Sequence, residues 1–175
     1  MRRLLIITLS SSAVIVLAAL TAFLLGIRYN TTASMPRGLY MRSRAAIARD
    51  ALVAVCPDPA TAVLARSRHY LGAGSCPSGL TPFLKRVLAT PGDRVELREG
   101  RVFLNDRIVN QAAALANDHA GRPIPRMPDA VYLLASDQYW LAGRGPLSWD
   151  SRYWGPVHRS QITEVLRPLW LWSDP

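Results

Sequence analysis

The chain has 175 residues, half of them hydrophobic, and a formal net charge of +9. This length fits one domain plus a membrane anchor. The basic residues are dispersed rather than gathered in runs of five or more, and aromatic residues are not interleaved with them, which argues against a nucleic-acid-binding arm or platform. No nucleic-acid partner is therefore expected, and attraction to anionic lipid accounts for the positive charge.

The N-terminal stretch Leu4–Ile27 is apolar and carries no charge. As a helix it would span roughly 36 Å, enough to cross a hydrocarbon core of about 30 Å. A cleaved signal peptide has a shorter apolar region of about 7–15 residues, so we predict a retained anchor, with a long signal removed by another enzyme as the alternative. Arg2 and Arg3 place residues 1–3 in the cytoplasm, although Arg28 on the far side weakens this signal. Residues 4–27 are then the anchor and 28–175 the exported domain.

The exported part is predicted to be mostly β, because short apolar runs alternate with turn residues and helical periodicity is scarce. Residues 28–33 are interpreted as a polar connector, and Pro59–Tyr70 as a helix that opens with proline. Gln111–Pro128 is predicted to be a long surface loop. The apolar end 168–172 fits either the membrane interface or a strand pair. The predicted strands are Gly38–Met41, Leu52–Cys56, Leu84–Leu88, Val95–Leu97, Val102–Leu104, Ile108–Val109, Val131–Leu134, Tyr139–Ala142 and Ile162–Leu166.

Two cysteines, Cys56 and Cys76, enclose a Gly- and Ser-rich insert. An even pair in an exported domain predicts a disulfide, with two unrelated buried thiols as the alternative. The three histidines lack metal-ligand spacing, so neither a metal nor another cofactor is expected. A Gly-x-Ser-x-Gly motif is absent as well, although spacing alone leaves a Ser-His-Asp triad open.

The chain contains a single lysine: of its 21 Lys and Arg residues, only Lys85 is a lysine. Unlike arginine, a buried lysine can lose its proton near neutral pH and act as a base. In the predicted strand, alternation puts Lys85 on the face of Phe83 and Val87, toward the core, and Arg86 on the other face. A lysine on an edge strand in water is the alternative. A serine made nucleophilic by such a base is available at Ser34.

Three ordered segments resemble the three conserved boxes of the signal peptidase I superfamily, and in particular the TraF-type conjugative transfer peptidases. These are Ser34–Pro36, then Lys85–Arg86 with Pro91–Asp93, then Ser148–Arg152. The resemblance implies a signal peptidase I-like β-fold catalytic domain, one N-terminal transmembrane helix and a small disulfide-bounded insert. It places the enzyme in the bacterial inner membrane with its catalytic domain in the periplasm.

The same resemblance assigns roles to individual residues. Ser34 is similar to the nucleophile and Lys85 to the general base. The Ser34 N–H and the Thr32 hydroxyl correspond to the oxyanion donors, and Ser148 to the hydroxyl that fixes the lysine amine. Asp150 and Arg152 correspond to an ion pair in which the acidic Asp150 is counted among the catalytic residues and Arg152 supports it. Structurally, both could equally serve only to pin a loop.

The implied activity is a serine endopeptidase that processes a pilin-like or other exported precursor, with cyclisation of a conjugative pilin as one outcome. The sequence departs from the pattern of a housekeeping leader peptidase in two places, and both argue against that class. They are Leu88–Thr90 before the Pro-Gly-Asp turn and Gly143–Leu147 before Ser148. A general type I signal peptidase and a non-enzymatic component of a conjugation or secretion apparatus remain the alternatives.

Overall fold

The computed structural model describes residues 2–110 and 112–172, and for residues 2–11 and 110 it describes the backbone alone. Met1, Gln111 and residues 173–175 lie outside the described residues. Three predicted segments therefore extend beyond the described residues. These are the cytoplasmic segment at Met1, the surface loop at Gln111, and the exported domain at residues 173–175.

The described chain is mostly β, as predicted. In chain order its elements are α1 (Arg2–Leu24), β1 (Ile27–Asn30), β2 (Gly38–Ser43), β3 (Leu52–Val55), α2 (Pro59–Ser67), β4 (Phe83–Ala89), β5 (Arg94–Arg98), β6 (Arg101–Leu104), β7 (Arg107–Asn110), β8 (Val131–Leu133), β9 (Gln138–Ala142), α3 (Ser151–Trp154), β10 (Val157–His158), a 3₁₀ turn (Arg159–Gln161) and β11 (Ile162–Leu171).

The strands form two antiparallel sheets. The larger has the order β1-β2-β11-β3-β4-β9-β10, and the smaller has the order β7-β6-β5-β8. The last strand, β11, lies between β2 and β3, so a segment near the C-terminus joins the two strands that precede the insert. The chain leaves the large sheet after β4, builds the small sheet and returns as β9, which pairs with β4.

Two apolar clusters hold the sheets. Trp140 of β9 packs with the inward residues of β5 and β6, which joins the small sheet to the large one. Val53, Phe83, Val87 and Leu141 belong to the second cluster, under the centre of the large sheet. Because β4 contributes residues to both clusters, its inward face is surrounded by apolar side chains.

The N-terminal region differs from the prediction at its end. The helix stops at Leu24, and Gly26 adopts a φ of +82° that turns the chain. The predicted polar connector over 28–33 is wrong, because residues 27–30 form β1 and pair with β2, with Arg28 opposite Tyr40. This pairing depends on β2, which begins only at Gly38, so the composition of 28–33 carried no sign of it.

Apolar side chains in the described part of α1 are exposed, among them Val14, Leu17 and Leu24. Within the part of the chain that the structure describes, no helix is both long and apolar enough to cross a membrane. The predicted anchor over 4–27 includes residues 4–11, whose side chains lie outside the described part, and it stays a prediction.

The C-terminal strand is longer than predicted. It continues past Leu166 to Leu171 with an irregularity between Pro168 and Trp170, and Trp170 lies opposite Leu39 of β2. The apolar end of the chain therefore completes a strand pair. Trp170 nevertheless remains 67% exposed.

The insert between β3 and β4 is closed by a Cys56–Cys76 disulfide, which confirms the predicted pairing. Its helix, α2, begins after Asp58, whose carboxylate accepts from the Ala60 and Thr61 N–H groups. The helix ends at Ser67 rather than at Tyr70, because His69 adopts a left-handed φ of 56°. The short elements α3 and β10 were not predicted, since neither is long enough to show a period.

Candidate active site

A cavity of about 1350 Å³ opens on one side of the large sheet. Four of the residues singled out in the sequence line it: Thr32, Ser34, Lys85 and Ser148. They come from three separate segments of the chain. The structure therefore brings the candidate nucleophile and the candidate base to one solvent-accessible space.

Ser34 lies in the turn that connects β1 to β2, which we call the nucleophile turn (residues 31–37). Its carbonyl oxygen accepts from the Arg144 N–H at 2.6 Å, and its hydroxyl lies 3.3 Å from the Thr32 hydroxyl. On the β2 side, the buried Tyr40 hydroxyl donates to the Pro36 carbonyl at 2.5 Å. The turn is thus held at its middle residue and near its C-terminal end by groups outside it. Among the described residues, the Ser34 N–H has no hydrogen-bond partner.

Asn30, the last residue of β1, is a feature that the sequence analysis missed. It is only 8% exposed, and its side-chain amide donates to the carbonyls of Thr32, Met35 and Pro36 at 3.0–3.2 Å. Its side-chain oxygen accepts from both the N–H and the hydroxyl of Thr32. An asparagine before a turn is common, and only the pairing of β1 with β2 shows that this one faces inward.

Lys85 lies in β4 opposite Val53 and is 2% exposed, whereas Arg86 points outward and pairs with Asp50 at 2.8 Å. The predicted alternation along this strand is therefore confirmed. The Lys85 amine donates to the Ser148 hydroxyl at 3.1 Å and lies 5.6 Å from the centre of the Phe83 ring.

Burial lowers the pKa of the Lys85 amine from 10.5 to about 8, because the charged form loses its hydration. The charge of Asp150 opposes this shift, and that of Arg152 adds to it. The free amine is consequently accessible at mildly alkaline pH, which is the property that the sequence analysis expected of a lone buried lysine.

Asp150 and Arg152 form a bidentate ion pair whose two side chains are fully buried, at 2.8 Å for each contact. The carboxylate also accepts from the N–H of Gly143, and the guanidinium donates to the carbonyls of Ala112 and Ser148. The pair thus ties the residues around Ser148 to the long loop that follows β7. Neither residue lines the cavity, so both lie behind it.

Gly143 lies where the two halves of the site meet. A β-carbon at this position would come within 2.1 Å of the Ser148 hydroxyl oxygen and within 2.8 Å of the Ser34 carbonyl oxygen. Contacts this short are not tolerated, so only glycine allows the nucleophile turn and the Ser148 segment to approach each other. In the sequence alone, this glycine is visible only as part of a segment that departs from the family pattern.

The opposite wall of the cavity is formed by the insert and the loop after β7. The Tyr70 hydroxyl of the insert donates to the carboxylate of Asp118 in the loop at 2.6 Å, which joins the two segments, and Arg122 of the loop donates to the same carboxylate at 2.9 Å. These contacts and hydrogen bonds from backbone N–H groups hold the pKa of Asp118 well below its usual range. Tyr70 also packs edge-on against Trp149, so this wall continues to the residue after Ser148.

The expected nucleophile and base are not bonded to each other. In the described part of the chain the Ser34 hydroxyl has no hydrogen bond to the Lys85 amine; its neighbour is Thr32, and that of the amine is Ser148. His69 and His119 line the cavity without bonding to Ser34. Among the described residues, no group of three or more His, Cys, Asp or Glu side chains is placed to hold a metal ion.

Comparison with known proteins places this geometry in context. The family described as "Signal peptidase, peptidase S26" matches residues 3–171. Two proteins of Escherichia coli, each called "Plasmid transfer protein TraF", are 37% and 39% identical to the chain. They align over 95% and 92% of it and over 94% and 96% of their own lengths.

A third relative is the "Conjugal transfer protein TraF" of Agrobacterium tumefaciens (strain 15955), which is 35% identical over 91% of the chain and 92% of its own length. Among solved structures, a signal peptidase I of Enterococcus faecalis V583 covers 71% of the chain and 100% of the solved chain. It is 22% identical, with a TM-score of 0.42.

Proposed function

Because the chain belongs to the signal peptidase family, peptidase S26, and is therefore a signal peptidase I-like protease, we propose that it cleaves its substrate with a Ser34/Lys85 dyad. The observation that carries this proposal is the burial of Lys85. It is the single lysine of the chain, it is 2% exposed, and it lines the same cavity as Ser34.

The first step of the proposed reaction is attack of the Ser34 oxygen on the scissile carbonyl. Neutral Lys85 accepts the hydroxyl proton as the new C–O bond forms. The amine then passes this proton to the departing nitrogen as the C–N bond breaks, which leaves an ester on Ser34. Ser148 holds the amine at 3.1 Å during these transfers and so limits its freedom.

The attack requires the Ser34 hydroxyl to turn from Thr32 toward Lys85. In a site without substrate, catalytic hydrogen bonds are often long and tighten only when substrate binds. A rotation about the Ser34 side-chain torsion moves the hydroxyl without disturbing the turn, because Arg144 holds the Ser34 carbonyl. Substrate entry is the event that we expect to drive this rotation.

The Ser34 N–H is the principal candidate for stabilising the oxyanion, since it has no partner among the described residues. Thr32 is the second candidate, and its hydroxyl first has to leave Asn30. Removing one such donor typically costs about 2.7–4 kcal/mol of transition-state stabilisation. Thr32→Val should therefore slow cleavage without abolishing it.

The ester has two possible acceptors. Water yields a cut product, its proton passing to Lys85 and then to the Ser34 oxygen as the ester breaks. The N-terminal amine of the substrate instead attacks the ester carbonyl and forms an amide that closes a ring; the C–O bond to Ser34 breaks, and the amine proton passes through Lys85 to the Ser34 oxygen. For the substrate we propose an exported precursor of a conjugation system, a pilin-like subunit in particular, because the relatives described above are named for plasmid and conjugal transfer.

We further propose that residues 4–27 anchor the enzyme in the bacterial inner membrane and that residues 28–175 lie in the periplasm. Exposed apolar side chains in the described part of α1 support this location. The Cys56–Cys76 disulfide supports an oxidising compartment. Fractionation of cells that express the full chain, with protease added to spheroplasts, tests both points.

The dyad is tested with the full chain in detergent and a co-expressed candidate pilin precursor, analysed by intact-mass spectrometry. Wild type should give a cut or ring-closed product, and Ser34→Ala and Lys85→Arg should give neither. Since the neutral amine is the base, kcat/KM should rise with pH and level off above about 8. Full activity of Lys85→Arg would remove the lysine from the mechanism.

The same assay separates the alternatives. A general leader peptidase would process many exported precursors at comparable rates, whereas the proposed enzyme processes one. A non-enzymatic envelope component would leave every precursor intact.

A further inference from the structure

We infer that Asn30 is a positioning residue of the reaction proposed above: it shapes the nucleophile turn and sets the direction of the Thr32 and Ser34 hydroxyl protons. The inference rests on the proposed Ser34 chemistry. It starts from the observation that one buried side chain makes five hydrogen bonds inside a segment of seven residues, Asn30 to Pro36.

The orientation of the Asn30 amide follows from its surroundings. Three carbonyl oxygens, those of Thr32, Met35 and Pro36, surround its nitrogen, and carbonyl oxygens accept hydrogen bonds only. The Thr32 N–H points at the other side-chain atom, which must therefore be the oxygen. A flipped amide would place its oxygen against the three carbonyl oxygens and its NH₂ group against the Thr32 N–H, so these hydrogen bonds would be lost.

This orientation fixes the direction of two hydroxyl protons. The Asn30 oxygen can only accept, so the Thr32 hydroxyl, at 2.8 Å, donates to it. A hydroxyl has one proton, so the Ser34 hydroxyl is the donor in its 3.3 Å contact with Thr32. The protons therefore run from Ser34 to Thr32 to Asn30.

The direction of this chain has a consequence for the free enzyme. The Ser34 proton points to Thr32 rather than to the Lys85 amine, which donates to Ser148. The Thr32 proton is likewise directed to Asn30, so Thr32 can stabilise an oxyanion only after giving up that bond. Asn30 thus keeps the nucleophile in one defined resting position, from which its hydroxyl has to turn away from Thr32 to meet the base.

The amide nitrogen has a separate task. By bonding to carbonyls on both sides of Ser34, it holds the backbone that positions the Ser34 N–H. Misplacement of a reacting group by about 1 Å can cost 10²-fold in rate. Loss of Asn30 should therefore lower kcat far more than it raises KM, because its hydrogen bonds go to the nucleophile turn and the other residues that line the cavity are kept.

The test compares Asn30→Leu, similar in size but without polar groups, with the wild-type full chain in detergent, using a precursor peptide. We expect kcat to fall about 100-fold while KM changes less than about threefold. The two mutations Asn30→Leu and Thr32→Val should be non-additive, with Asn30→Leu costing less once the Thr32 hydroxyl is gone. Additive effects would contradict the proton chain.

A loss of stability alone must be separated from a loss of positioning. Val102→Ala, which opens a cavity in the distant small sheet, serves as the control, with unfolding temperatures measured for both variants. If Val102→Ala lowers kcat as much as Asn30→Leu at an equal stability, or if Asn30→Leu keeps kcat within threefold of wild type, the inference is wrong.

Asn30→Asp provides a second variant if Asn30→Leu does not fold. It keeps the shape and the acceptor for Thr32 but directs a carboxylate at three carbonyls, so kcat should again fall; wild-type kcat would overturn the inference. Ser34→Ala is measured alongside. If Ser34→Ala still cleaves, the proposed function fails and the inference with it, whereas an inactive Ser34→Ala beside an active Asn30→Leu refutes the inference alone.

Discussion

The two sides of the candidate site are built in different ways. The nucleophile turn is held largely by hydrogen bonds between residues close in sequence, with Asn30 at their centre, and Thr32 in it is exposed. The base side is buried, and its contacts join distant segments: Lys85 bonds to Ser148, and Arg152 reaches the carbonyl of Ala112. The nucleophile turn is ordered by hydrogen bonds between residues near in sequence, whereas the base side is ordered by burial and by contacts between distant segments.

This difference bears on what each side contributes. A lysine needs exclusion from water if its pKa is to fall, and only packing from several strands achieves that. A nucleophile needs access to substrate, so it cannot be buried, and hydrogen bonds must order it instead. Substitutions on the base side should therefore act first on stability, and substitutions near the turn first on rate.

The largest effect expected on this comparison is that of Arg152→Met. It leaves the Asp150 carboxylate buried without its partner and frees the carbonyls of Ala112 and Ser148. Breaking such a buried pair costs about 3–5 kcal/mol. Denaturant unfolding measures the loss. Arg86→Met, in the exposed pair with Asp50, is the matched control and should cost less than about 1 kcal/mol. Equal losses would show that burial does not distinguish the base side.

The next largest effect concerns the stability cost of burying Lys85. Its pKa is lower in the folded state, about 8, than the ordinary 10.5, so the unfolded state binds more protons between these values. Below pH 8 the folded protein carries the full cost of about 3 kcal/mol. This cost disappears as the pH rises to 10.5.

Lys85→Met should therefore be inactive yet more stable than wild type at pH 7. Its advantage should shrink between pH 8 and 10.5, as measured by urea unfolding at a series of pH values. Lys85→Met and wild type share every other titrating group. The difference between their free energies of unfolding therefore reports on the Lys85 amine alone. An advantage that does not vary with pH would show that the amine titrates alike in both states.

The smallest effect should come from Gly143→Ala, which probes the boundary between the two sides. The added methyl would push the Ser148 hydroxyl away from Lys85 or the turn away from the cavity. We expect kcat to fall at least about tenfold, equivalent to roughly 1.4 kcal/mol. Gly72→Ala, where the nearest atom is 3.9 Å away, is the control and should retain wild-type kcat. Wild-type kcat in Gly143→Ala would show that the two sides can separate without loss.

Several features were accessible from the sequence because their signals are local. Alternation along Phe83–Val87 placed Lys85 inward and Arg86 outward, and the structure agrees. The Cys56–Cys76 pair and most strands were likewise predicted. The strand β1 was missed because Ile27–Asn30 alternates apolar and polar side chains over only four residues, and its burial does not follow that alternation: Tyr29 is exposed and Asn30 is buried. These residues become a strand by pairing with β2. Asn30 was missed for the same reason.

The sequence by itself determined which chemical groups are available: one serine before Met-Pro, one lysine and two cysteines in a mostly β chain. Only the tertiary structure decided how these groups behave. The pKa of Lys85 depends on its removal from water by β3, β4 and β9, and the proton direction at Ser34 depends on an amide that pairing of β1 with β2 turns inward. Residue identity is a local property, whereas desolvation and hydrogen-bond geometry arise from contacts between segments far apart in the chain.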